Sequence, residues 1–169
     1  DLNDFKREIL RHTNPNNIKG TLKTALKNAD VFIGVSQANQ LTTEDVMTMN
    51  KLPIIFPLAN PIPEISPDKA YEGGAGVVGT GRSDVPNQIN NVLAFPGIFR
   101  GALDIRARRI TPRMKVAAAY AIANCVSDLH RDNIIPSTLD LNVSKCVAQA
   151  VKDAYLEDLK HMETPKHAL

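Results

Sequence analysis

The residues of this chain best suited to chemistry are polar side chains that close apolar runs. Asn87-Gln88-Ile89-Asn90-Asn91 places four amides beside an apolar segment. An amide offers donors and acceptors without charge, which suits a carboxylate, a hydroxyl or a carboxamide ring substituent. Upstream, the run Pro53 to Ala59 stops abruptly at Asn60-Pro61, and Val31-Phe32-Ile33-Gly34-Val35 stops at Ser36. A third run, Gly76 to Gly79, ends in Thr80-Gly81-Arg82-Ser83-Asp84. Continuous apolar runs bounded by turn residues predict strands buried on both faces, as in a parallel sheet. In open α/β sheets the carboxyl ends of the strands are where ligands bind, and Ser36, Asn60 and Thr80 stand there. Read alone, Asn60 also suits a plain turn before Pro61, and Gly34 suits either a strand-to-loop bend or the close approach of a ligand.

Other reactive types read as structural. Arg82 and Asp84 suit a mutual ion pair that holds a loop better than they suit catalysis. Arg100, Arg106, Arg108 and Arg109 resemble a phosphate patch, but on a helix followed by a loop a solvated or subunit-facing surface is preferred. His12, His130, His161 and His167 show neither metal spacing nor a partner nucleophile. Cys125 and Cys146 fall in helical patterns and read as small buried hydrophobes, not a disulfide. Gly74-Ala75-Gly76-Val77-Val78-Gly79 fits G-x-G-x-x-G, yet a dinucleotide cradle needs a strand before it and a helix opening within it. Here a helix precedes and a strand follows, so the reading is a helix C-cap and a tight turn.

The elements that position these residues alternate. Leu2, Phe5, Ile9 and Leu10 predict an amphipathic helix over residues 1–13. Thr21 caps a short helix at 22–27, and Thr42 or Thr43 caps one whose apolar side is Val46, Met47 and Met49, with Glu44 and Asp45 in its first turn. Ser66-Pro67 starts another short helix. The order strand, helix, strand, helix, strand predicts right-handed parallel crossovers. Three helices then follow. One begins at Phe95-Pro96-Gly97 with Ile98, Phe99, Ala102 and Ile105 as its stripe. The next begins at Thr111-Pro112 with Met114, Ala118, Ala121, Ile122 and Cys125 on one face. The last spans 143–159 with Val143, Val147, Ala150, Val151 and Ala154 inward, and 161–169 reads as a frayed tail.

Composition sets the class. The chain has 169 residues, 43% hydrophobic and 22% charged, with net charge +2. That is ordinary for a soluble domain with a substantial core. It gives no electrostatic case for nucleic acid or membrane binding. No apolar run is long enough to cross a bilayer and no signal peptide opens the chain, so a cytoplasmic protein is the expectation.

The strings PLANPIPEISPDKA and GTGRSDVPNQINNVLAFPGIFRGALDIRA, with NPNNIKGTLKTALKNADVFIGVS before them, resemble in the same order the C-terminal half of a malic enzyme of the short, bacterial type. The resemblance runs from about Asn14 to Ala154. It implies an α/β fold, the second half of a Rossmann-like doubly wound parallel sheet followed by C-terminal helices. Residues 1–160 would be the C-terminal portion of a nicotinamide-dinucleotide-binding domain and 161–169 a tail. The chain starts at Asp1, and the resemblance implies a long segment before it. That segment would hold the glycine fingerprint, the acid–base pair and the carboxylates of a divalent metal, Mg or Mn, so no catalytic or metal residue is placed in this chain. Substrate contacts are implied at Asn60, Asn90 and Asn91, one amide of the last pair binding a malate carboxylate and the other bracing the loop. Cofactor contacts are implied at Gly34, Val35, Ser36 and Asn60. The implied reaction oxidises and decarboxylates malate to pyruvate and carbon dioxide and reduces NAD or NADP, with NAD preferred, in a homo-oligomer. A malolactic enzyme, or a non-catalytic half-domain that binds a nucleotide or a protein, are the alternatives.

Overall fold

Thr42 caps α3 (Thr43–Met47) in a reciprocal box: its hydroxyl accepts from Asp45 N, and the Asp45 carboxylate accepts from Thr42 N. Two orphan donors of the first turn are thereby satisfied. Thr21 and Ser66 hold the cap positions of α2 (Leu22–Leu26) and α4 (Pro67–Glu72), but neither side chain makes the capping bond. Between these helices run β1 (Val31–Gly34) and β2 (Ile54–Pro57), paired in parallel with Phe32 beside Ile55 and Gly34 beside Pro57. A short third strand, β3 (Val77–Val78), completes a sheet of order β1-β2-β3. The structure is a computed structural model and describes residues 3–163. It divides into two units between Val77 and Val78.

In the first unit the buried set is Leu26, Phe32, Leu41, Val46, Met49, Ile55, Ile65, Ala70 and Ala75. Phe32 and Gly34 share the buried face of the sheet with Ile55 and Pro57. The other face departs from the sequence reading. Val31 and Ile33 are 46% and 63% exposed, so β1 alternates and is not buried on both faces. A strand is buried twice only where both faces of its sheet are covered, and within this chain one face of β1 is uncovered. Met47 is likewise exposed. The first helix is shorter than its apolar spacing suggests: α1 spans Asp4–Leu10, is capped by Asn3 and buries no residue.

The glycine string resolves as a cap. Gly73 closes α4, Gly74 takes φ +96, and Ala75 N returns to Ala70 O before the chain enters β3. No helix opens inside the motif, so it has no helix N-terminus to offer a pyrophosphate.

The second unit is built on α5 (Phe95–Asp104), α6 (Pro112–Asn124) and α7 (Leu141–Glu163). Met114, Ala118, Val143, Val147, Val151 and Ala154 form its core with Leu93 and Ala102, and Ala121, Ile122 and Cys125 pack at the margin. Of the stripe predicted for α5, Ala102 is buried and Ile98 packs against the core, but Phe99 is exposed, and the helix also buries Gly97 and Gly101. These glycines lie four apart, on one face. A Cβ on Gly97 would stand 2.6 Å from Val147 Cβ, and one on Gly101 would stand 2.5 Å from the Ala148 carbonyl oxygen. Close backbone approach of α5 to α7 therefore requires glycine at both. Ala150 is half-buried and Ala148 takes the inward place. The final helix runs on to Glu163, past the predicted start of the tail at residue 161; residues 164–169 of that tail lie outside the described residues.

Candidate functional site

In the first unit, one buried carboxylate ties the carboxyl ends of β1 and β2 together. Glu64 is 0% exposed. Its Oε1 accepts from Ser36 N at 2.9 Å and from Ser36 Oγ at 3.5 Å, and its Oε2 accepts from Ala59 N at 3.0 Å. Its backbone carbonyl also accepts from Leu41 N. An ionised carboxylate is acceptor-only and suits a pocket of converging donors. Burial alone would push the Glu64 carboxyl up, but the Ser36 and Ala59 amides and the Ser36 hydroxyl outweigh it and hold the group below its ordinary value. The sequence reading passed over Glu64. A single acid bracketed by the buried Pro63 and Ile65 was the signal that could have found it.

This knot explains Gly34 differently from the sequence reading. The group that approaches Gly34 is the Glu64 carboxyl: a Cβ there would lie 2.5 Å from Glu64 Cδ. Val35 and Ser36 follow on an open edge, with Val35 79% exposed. Asn60 comes one residue after the Ala59 amide that Glu64 holds, joined to Pro61 by a cis peptide bond. It is exposed, and its side chain makes no hydrogen bond among the described residues. Glu64 thus fixes the backbone on either side of this edge, and the Asn60 amide beside it has no side-chain partner among the described residues.

In the second unit the run of amides separates into different jobs. Asn87 is buried at φ +58. Its Nδ2 donates to Val78 O and Arg131 O, and its Oδ1 accepts from Ile134 N, all within 2.9 Å. Its carbonyl oxygen and both its N–H groups serve the fold. Gln88 bridges to Thr80 through the backbone and accepts from Thr138 Oγ1 at 3.4 Å. Asn90 caps the 3-10 turn Asn91–Leu93 by accepting from Val92 N at 3.0 Å. Asn91 is exposed, and its side chain makes no hydrogen bond among the described residues. Of the paired asparagines, then, Asn90 braces the turn and Asn91 is the free amide.

The remaining charged groups behave as structure. Arg82 makes the expected two-pronged ion pair with Asp84, at 2.8 Å from its Nε, and each group strengthens the charged state of the other. Arg100 is paired with Asp104. Cys125 and Cys146 are free thiols. Burial and then the neighbouring Cys146 push the Cys125 thiol up, whereas Cys146 itself is exposed, against the reading of both as buried. Among the described residues no three His, Cys, Asp or Glu side chains come together. A divalent metal therefore has no ligand set among the described residues. Among the same residues no helix is long and apolar enough to cross a membrane.

Residues 1–156 match the family model described as malic enzyme, NAD binding domain. The chain is 56% identical over 158 residues to the bifunctional malic/malolactic enzyme of Bacillus subtilis, covering 92% of this chain and 38% of that protein. It is 54% identical over 154 residues to the NAD-dependent malic enzyme of Geobacillus stearothermophilus, covering 90% of this chain and 32% of that one. The crystal structure of malic enzyme from Pyrococcus horikoshii superposes with a TM-score of 0.89 at 48% identity, over 92% of this chain and 36% of its own. The chain therefore spans a little over a third, or less, of the length of these relatives. A family model covering nearly the whole chain, and a solved fold that agrees with it, lead to one conclusion: this chain belongs to the malic enzyme NAD-binding domain family.

Proposed function

We propose that this chain is the part of a malic enzyme that orients cofactor and substrate, in a cytoplasmic homo-oligomer whose reaction converts malate to pyruvate and carbon dioxide. A nicotinamide dinucleotide, when bound, supplies the hydride acceptor. The chain's own contribution is positional. Val35 and Ser36 line the edge beside the cofactor's ribose, on backbone that Glu64 holds still. Gly34 contributes by admitting the Glu64 carboxyl. Asn60 reaches the substrate and the nicotinamide end. In the second unit Asn91 donates to a substrate carboxylate and Asn90 braces the turn that presents it. The observation that carries this reading is the Glu64 knot with the free amide of Asn60 beside it. A polar side chain with no partner, next to backbone so firmly tied, is pre-organised for a ligand.

Whether NAD or NADP is taken depends on the ribose-binding end of an earlier strand; relatives carry both names, and NAD is the preferred assignment. The name of the Bacillus subtilis relative keeps a malolactic outcome as a second reading, and product analysis of the full-length protein separates pyruvate from lactate. The test of the site is steady-state kinetics with malate on full-length Asn60→Ala and Asn91→Ala variants. Loss of one hydrogen bond to a carboxylate is worth roughly 1.5–3 kcal/mol, about a ten- to hundredfold drop in kcat/KM. Asn91→Ala should act mainly on KM, and Asn60→Ala on both KM and kcat. Unchanged kinetics in both variants would remove these amides from the site.

A further inference from the structure

The arginines of this chain divide in a way the malate reaction does not use. There are nine. Six make ion pairs with carboxylates: Arg7, Arg11, Arg82, Arg100, Arg113 and Arg131. The other three, Arg106, Arg108 and Arg109, have no carboxylate or hydrogen-bond partner for their guanidinium groups among the described residues. All three line the same hollow of about 990 Å³ in the second unit. Arg100, which the sequence placed with them, is not part of it.

The hollow is held in shape. Arg106 sits at φ +50 where α5 ends, and Ala107 N returns to Ala102 O. Arg108 N donates to Tyr155 Oη at 3.3 Å. Thr111 Oγ1 donates to Asp158 Oδ2 at 2.6 Å, and Arg113 Nε donates to Asp158 Oδ1 at 2.8 Å. Asp158, the one carboxylate among the described residues of the wall, is thus already engaged on both oxygens. The α5–α6 loop contributes three guanidinium groups and α6 adds Arg113, while α7 lines the wall with the satisfied Asp158 and the imidazole of His161. Like charges gathered on a pinned loop repel one another unless an anion stands between them. Guanidinium forks match the oxygens of phosphate and carboxylate groups in pairs.

We infer that the hollow between the α5–α6 loop and α7 is a binding site for a small multivalent oxyanion, held by Arg106, Arg108 and Arg109. Phosphates and polycarboxylates share this chemistry. The site is distinct in residues from those proposed for malate and cofactor, so it stands whether or not that assignment does.

The test is isothermal titration of the full-length protein with tripolyphosphate, inorganic phosphate and citrate, each at matched ionic strength. One strong site per chain is expected. Tripolyphosphate and citrate should both bind tighter than inorganic phosphate, and their order tells a phosphate ligand from a polycarboxylate one. The double variant Arg106→Gln/Arg109→Gln should weaken binding at least about tenfold, as loss of charge-assisted hydrogen bonds implies. Arg109→Lys, which keeps the charge and loses the fork, should fall between. Arg100→Gln, outside the hollow, should bind as the parent does. Equal affinity in the double variant, or an equal loss in Arg100→Gln, would overturn the site in favour of diffuse charge. No binding by the parent, with a change of oligomeric state in the double variant, would assign the arginines to a second copy of the chain instead. Far-UV circular dichroism confirms that each variant is folded before titration.

Discussion

Two buried polar side chains, one in each unit, tie loops to strand ends, and they do it with different charge. Glu64 meets only donors: the Ser36 amide and hydroxyl and the Ala59 amide. Asn87 meets two carbonyl acceptors and one amide donor. An acceptor-only group answers the first set and a group with both functions answers the second. The backbone groups presented by each loop thus decide whether the buried side chain is ionised. The charged solution also makes the first unit sensitive to pH in a way that the neutral one does not.

Exchanging the charge between the two sites breaks the comparison most sharply. Asn87→Asp puts a carboxylate against Val78 O and Arg131 O with nothing to neutralise it. An uncompensated buried charge costs roughly 3–5 kcal/mol, which thermal or urea denaturation of the full-length protein would register. Because such a carboxyl is pushed up by burial and by the two carbonyls, the deficit should grow as pH rises past about 3.9 and shrink below it. A variant as stable as the parent at pH 7 would mean that Asn87 is not the buried bracket described here.

Glu64→Gln is the milder exchange. It keeps shape and one good acceptor, but it turns an NH2 group toward a donor. One mismatched donor corresponds to about 1–3 kcal/mol. Ser36 and Ala59 would shift, so binding of nicotinamide dinucleotide should weaken along with stability.

The pH dependence sharpens the same point. The folded Glu64 carboxyl is lowered, so the unfolded chain binds its proton first and stability rises with pH. Its contribution is complete above the ordinary carboxylate value, about 4.3, and is lost as pH falls through the lower folded value. Exposed Glu44, Asp84, Asp104 and Glu157 are also lowered, so the quantity to follow is the parent minus Glu64→Gln. That difference should be flat from pH 8 to about 5 and should close below about 4.3. A difference independent of pH down to 3 would contradict an ionised Glu64.

The smallest effects separate the paired asparagines. Asn90→Ala removes a cap and should cost about 1 kcal/mol. Asn91→Ala and Asn60→Ala remove no hydrogen bond among the described residues and should leave the melting temperature in place. A large drop in melting temperature for either would make them structural residues of the turn.

What the sequence determined is local. Apolar runs closed by turn residues located the three strands, Thr42 or Thr43 and Thr111 their helices, and the order around Gly74–Gly79 argued against a pyrophosphate cradle. Each rests on neighbours within a few residues, so short-range sterics and hydrogen bonding decide it. The long collinear strings carried the family. What the sequence did not show depends on residues far apart. Glu64 binds Ser36 across twenty-eight positions, and Asn87 binds Ile134 across forty-seven. No spacing rule separates Asn87 from Asn91, because both are amides in one short run; only the groups that the fold brings to each decide that one is consumed and the other free. Likewise Gly97 and Gly101 read as weak helix residues until Val147 and Ala148 arrive against them. The exposed face of β1 is tertiary in the same sense. Val31 and Ile33 are apolar enough to be covered, and whether a strand is buried once or twice depends on what packs against its sheet, which the strand's own residues do not specify.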